Sequence, residues 1–182
     1  MTFQLKYFYH LTCYENAVGI LNDKYLTYGK GMERWEEDFI SFADYLHYDL
    51  ATFDFGDLCF EFKAQSLLGK NKIIPFNYKI MPEDFYLQDG YPAMPFWECE
   101  WVSKKTFFDL DDINCFIIST EAIKYLGNKR LNILRNLLNE NNISHKTMDF
   151  NTLPKPNDQF FIDRYLQRIK YPNKIYARNV KP

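Results

Sequence analysis

The stretch Phe3–Asn22, FQLKYFYHLTCYENAVGILN, changes its hydrophobic pattern halfway along. Phe3 to Leu11 is rich in aromatic residues and reads as a strand. Thr12, Cys13, Tyr14 and Glu15 then have the S/T-x-x-E spacing of a capping box. In that arrangement Thr12 accepts from a free helix N–H and Glu15 reaches back to the Thr12 N–H. Ala17, Val18 and Leu21 supply the apolar stripe of a short helix ending near Asn22. His10 therefore falls at the end of a strand, just ahead of a helix N-terminus, where exposed N–H groups favour anionic groups such as phosphate.

Beyond this stretch the chain is rich in strands. Residues 23–38 read as a loop, with Gly29 and Gly31 as breakers and an acidic run from Glu33 to Asp38. Strands are predicted at Phe39–Ala43 and at Asp57–Phe62, where DLCFEF alternates as a half-buried strand does. Lys72–Tyr78 follows, with Pro75 marking an edge or bulge. Residues 82–95 are turn-rich and irregular, and Phe96–Ser103 and Asn114–Ser119 read as strands. Ser119 or Thr120 caps the next helix, Gly127 interrupts it, and a second helix runs from about Asn128 to Glu140, its Leu131, Leu134, Leu137 and Leu138 forming a core stripe. Ile143–Met148 reads as a strand, Thr152–Asn157 as a proline-containing loop, Asp158–Ile169 as a helix and Lys174–Asn179 as a last strand. Helices outside a regular alternation with strands argue an α+β class rather than a doubly wound sheet. With 182 residues and no repeat or linker, the chain reads as a single domain over 1–182.

Hydrophobic residues make up 47% of the chain, enough for a sizeable core. Fourteen Tyr and 17 Phe supply large burial and flat rings. A net charge of −2 gives no global reason for tight binding to a nucleic-acid backbone. Two basic groupings, Lys124/Lys129/Arg130/Arg135 and Arg164/Arg168/Lys170/Lys174/Arg178, read as solvated faces. Cys13, Cys59, Cys99 and Cys115 form no close pair, which argues against a disulfide framework or a structural zinc site. His10, His47 and His145 are widely spaced and form no metal signature. Gln4 and Lys6 break any N-terminal signal, and no apolar run is long enough for a membrane span, so a cytoplasmic location is expected.

Three pieces carry candidate chemistry: Tyr9-His10-Leu11-Thr12, Ile40-Ser41-Phe42-Ala43 and Glu98-Cys99-Glu100-Trp101. Alternation puts Glu98 and Glu100 on one strand face, with Cys99 opposite beside Trp97 and Trp101. Two same-side carboxylates beside aromatic rings suit proton transfer through shifted pKa values; an exposed face with two solvated glutamates fits the same spacing. His10 reads as a structural histidine or as a partner for a ribose hydroxyl or phosphate. Ser41 alone is a weak signal.

The order of these pieces carries a resemblance. A strand ending in His-Thr, a short helix with an Ile-Leu pair, I-S-F, then F-G-x-L-x-F-x-F and E-x-E-W resembles the ADP-ribosyltransferase-like proteins of phage-defence and toxin–antitoxin systems. AbiGi-type abortive-infection proteins and DNA-targeting ADP-ribosyltransferase toxins are the nearest patterns, over roughly residues 7–120. The resemblance implies an ADP-ribosyltransferase-like split, mainly antiparallel sheet with peripheral helices and NAD⁺ as co-substrate in a central cleft. It implies Glu100 as catalytic glutamate and Glu98 as the acidic residue that helps orient the acceptor. His10, with Thr12 beside it, would hold the nicotinamide-side ribose and adjacent phosphate. Ser41 would support the glutamate, and Phe42 or Tyr45 would stack on nicotinamide. The acceptor would be a protein or nucleic acid in phage–host conflict, and an antitoxin or inhibitor partner fits the same setting. No metal is needed. Val102 follows Trp101 where the defence-type pattern often has arginine, and Tyr25, Tyr28, Tyr45 and Tyr48 compete for the tyrosine of the His-Tyr-Glu class. Two other readings fit the residues: a binding module that has lost its chemistry, and a metal-independent nuclease using His10 and a glutamate as acid and base.

Overall fold

Aromatic strands build the centre of the molecule. The computed structural model describes residues 5–27, 40–52, 56–70, 73–75, 100–103, 107–157, 159–161 and 163–164. Strand β1 (Tyr7–Thr12) leads into helix α1 (Tyr14–Asp23) and strand β2 (Tyr25–Thr27). Next come β3 (Ile40–Ala43), α2 (Tyr48–Thr52), β4 (Leu58–Lys63), α3 (Ala64–Lys70) and β5 (Ile73–Pro75). Then follow β6 (Glu100–Ser103), β7 (Phe107–Asp109), β8 (Ile113–Ser119), α4 (Thr120–Glu140) and β9 (His145–Met148). The architecture is α+β. Seven strands form one sheet in the order β5-β6-β3-β1-β4-β8-β9, and β2 pairs with β7 in a second, two-stranded sheet. Every described pairing is antiparallel except β8 with β9. Those two parallel strands need a long crossover, which α4 provides.

Each face of the large sheet has its own core. Phe8, Phe42, Phe60, Phe62, Trp101 and Phe116 are fully buried on one face, under apolar residues of α1, α3 and α4. Their rings meet edge to face, at 5.2 Å for Phe8 and Trp101 and 4.6 Å for Phe60 and Phe116. This is the favoured aromatic geometry. The other face carries Ala43, Cys59 and Ile117 beneath Leu46, Leu50, Ala51 and Phe150. The register ties one row across this second face: Glu100 pairs with Ala43, Ala43 with Tyr9, Tyr9 with Glu61, and Glu61 with Cys115.

Several expectations are met in the described residues. Ser119 caps α4, its hydroxyl accepting from the Ala122 N–H at 2.9 Å. Gly127 breaks the helix at φ 67° and ψ 170°, a conformation other residues avoid. Residues 159–161 and 163–164 are helical.

Others are corrected. The capping box does not form: Thr12 stays in β1 opposite Leu58, and Cys13 takes the N-cap position without a side-chain hydrogen bond. Strand pairing holds Thr12 extended and buried, so the helix starts one residue later. Tyr25–Thr27, placed in a loop by the sequence, is a strand because Phe107–Asp109 pairs with it. Leu58–Phe62 is buried on both faces rather than half-buried, and its polar Glu61 lies inside. The short helices α2 and α3 carry no signal that the sequence reading used. Residues 28–39, 76–99 and 165–182, with the predicted irregular stretch 82–95, the start of the Phe96 strand and the Lys174–Asn179 strand, lie outside the described residues.

Candidate functional site

His10 sits two residues before the end of β1 and points to the aromatic core face, 6.0 Å from the Phe42 ring. Its Nδ1 lies 3.0 Å from the Ser41 carbonyl. A carbonyl can only accept, so Nδ1 carries the proton and Nε2 is left as an acceptor. Burial pushes the His10 pKa below its ordinary value, and the bond to Ser41 only partly offsets this. The imidazole is a neutral strut between β1 and β3. Phe42 is buried among Phe8, Phe62 and His10, with its ring inside the core.

Ser41 and Glu100 occupy in-phase positions on the neighbouring strands β3 and β6. Ser41 pairs with Val102 and Ala43 with Glu100, so the two are diagonal neighbours in the ladder. Such diagonals bring Cα atoms to about 7–8 Å, within reach of long side chains. Glu100 shares its register row with Tyr9 and not with His10, which pairs with Phe60 one step on. Glu98 lies outside the described residues. The structure thus brings His10, Ser41 and Phe42 together, places Glu100 diagonal to Ser41, and leaves Thr12 two residues beyond His10, at the end of β1 opposite Leu58.

Tyr45 belongs to a cluster the sequence reading did not assemble. Where β3 ends, Asp44 is buried and accepts from Trp101 Nε1 at 2.7 Å and from Arg164 Nε at 2.8 Å. Arg164 Nη2 also donates to the Asp44 carbonyl at 2.9 Å. The Arg164 guanidinium lies 4.9 Å from the Tyr45 ring centroid, and Tyr45 stacks on His47 at 5.9 Å. Arg164, read from the sequence as part of a solvated basic face, is instead buried. Its planar fork matches a carboxylate and a carbonyl together, which offsets the cost of burying its charge. Lys129 and Arg130 of the other basic grouping are exposed, as expected.

Beside this cluster is a concavity of about 360 Å³ lined by Lys6, Tyr7, Tyr9, Asp44, Tyr45, Leu46 and Arg164. It stands at the small end of ligand-sized pockets, which span about 300–1,000 Å³. Tyr9 links it to the row that carries Glu100. Burial first, then the nearby Glu61 carboxylate, raises the Tyr9 phenol above its ordinary pKa and keeps it a proton donor. Glu61 is itself buried, accepting from Asn114 Nδ2 at 2.7 Å and Lys146 Nζ at 3.1 Å. Burial, reinforced by Glu61, likewise raises the Cys59 thiol, so Cys59 is an inert core residue. Asp44, Trp101 and Arg164 could be found only by folding the chain, since they meet across more than fifty residues of sequence.

No family model matches the chain, and no curated protein matches it.

Proposed function

We propose that the protein is an NAD⁺-dependent ADP-ribosyltransferase with an ADP-ribosyltransferase-like fold, modifying a protein or nucleic-acid acceptor. The observation that carries this reading is the in-phase diagonal of Ser41 and Glu100 on adjoining strands, with Glu100 in the register row of Tyr9, one of the tyrosines that wall the pocket. The pocket residues suit the co-substrate: Tyr7, Tyr9 and Tyr45 offer aromatic rings and Lys6 offers positive charge for phosphate, while Arg164 is held by Asp44. When bound, NAD⁺ supplies a glycosidic bond whose cleavage passes through an oxocarbenium-like state.

In this reading Glu100 accepts from a ribose hydroxyl and stabilises the developing positive charge. Ser41 supports the glutamate from β3. Glu98 orients the acceptor. His10 acts one step back, fixing the Ser41 backbone through its carbonyl. Its neutral, core-facing ring weakens the nuclease reading, which needs a histidine that exchanges protons with substrate. A cytoplasmic role in phage–host conflict, with an inhibitor partner, belongs to the same proposal. No described helix is long and apolar enough to cross a membrane.

The second reading, a binding module without turnover, is favoured by Val102 in place of the arginine common after E-x-E-W. Incubation of the protein with radiolabelled NAD⁺ and cell extract separates the two. The transferase reading expects label on protein or nucleic acid with wild type and none with Glu100→Gln. NAD⁺ that stabilises the fold without any transfer or hydrolysis would favour the binding module.

A further inference from the structure

We infer that Asp44 is a positioning residue for the catalytic strand, acting on Glu100 through Trp101. The inference rests on the reading of Glu100 as the catalytic carboxylate. Trp101 is the next residue in β6, fully buried, and in register with Phe42. Its indole ring packs against Phe8 at 5.2 Å while its Nε1–H reaches the Asp44 carboxylate at 2.7 Å. A ring held by packing and a hydrogen bond at one corner has one orientation. The backbone bearing Glu100 is therefore fixed against the turn that follows β3.

Arg164 completes the device from the far end of the chain. It engages the other Asp44 oxygen and the Asp44 carbonyl, so the carboxylate cannot swing away from the indole. The helical residues that carry Arg164 also place Phe160, 5.2 Å from Tyr45, and Phe161, 4.7 Å from His47, against the same turn. This C-terminal segment, which carries no motif of its own, is thereby coupled to the strand of the proposed chemistry. Catalytic rates are sensitive to displacements of about 1 Å, which cost up to about 100-fold.

The test is steady-state NAD⁺ turnover by wild type, Trp101→Phe, Asp44→Asn and the double variant. Trp101→Phe keeps a buried aromatic ring, removes the N–H together with the pyrrole half of the indole, and leaves the Asp44–Arg164 pair in place, so it keeps the test decisive if Asp44→Asn misfolds. The expected result is a kcat about 10- to 100-fold lower in Trp101→Phe, with KM for NAD⁺ within about twofold and an unchanged circular dichroism spectrum. Asp44→Asn should move the Trp101 indole N–H resonance, assigned by its loss in Trp101→Phe. The double variant should be no slower than the slower single variant, because both act through one hydrogen bond. Wild-type kcat in a folded Trp101→Phe, or additive losses in the double variant, overturns the inference while leaving the function standing. No turnover by wild type removes the reading of Glu100 and this inference with it.

Discussion

The Nδ1 of His10 and the carbonyl of Ser41 are 3.0 Å apart, joining β1 to β3 through a neutral imidazole. Burial holds the His10 pKa below its ordinary value, so on acidification the unfolded chain takes up this proton first. Stability is then full above about pH 6.5 and is lost as the pH falls from there towards the folded-state value, by at most about 1.4 kcal/mol per pH unit. Melting temperatures between pH 7.5 and 5.5 should fall more steeply for wild type than for His10→Gln. Parallel curves would show that His10 protonates as easily in the folded protein as in the unfolded one.

Glu61 gives a second stability prediction. Its carboxylate is buried and depends on Asn114 and Lys146 for its hydrogen bonds. Asn114→Ala should cost about 1–3 kcal/mol in urea unfolding, because a buried charge loses a donor. Lys146 is 43% exposed, so water can replace part of its role and Lys146→Ala should cost about 1 kcal/mol or less. The reverse order would contradict the arrangement.

Gly56 has φ +113° and lies against the Thr12 carbonyl, where a Cβ would collide with backbone. Gly56→Ala should destabilise by about 1–3 kcal/mol and lower the melting temperature by several degrees. An unchanged melting temperature would mean that the end of β1 and the start of β4 are not held so closely.

Tyr9 lines the pocket with a phenol whose ionisation is suppressed, so it can donate a hydrogen bond throughout the working pH range. Tyr9→Phe keeps the ring packing and removes the hydroxyl. KM for NAD⁺ should rise about 2- to 10-fold, the worth of one net hydrogen bond, with kcat little changed. Unchanged KM would place the ligand elsewhere.

Much of the fold was legible in short-range pattern. The strands around His10, Ser41 and Cys115 follow from aromatic and apolar runs, and Ser119 and Gly127 marked the cap and the break of α4. Those signals are local, because a cap and a backbone conformation depend on neighbours in sequence. The capping box misled because Thr12 had a competing use, pairing in β1 with Leu58. Alternation in DLCFEF suggested one wet face, yet Asn114 and Lys146 supply partners that let Glu61 go inside. Arg164 looked like a surface charge for the same reason: its partner Asp44 is 120 residues away. Glu100 and Ser41 were singled out in the sequence, but their diagonal relation belongs to strand register, which no single segment encodes.

The most direct test of the central claim is nicotinamide release from NAD⁺ by purified protein, comparing wild type with Glu100→Gln in the presence of cell extract. The account predicts steady release by wild type and a loss of about 100-fold or more in a folded Glu100→Gln. Equal release by the two proteins would remove Glu100 from the chemistry, and no release by either would contradict the transferase reading.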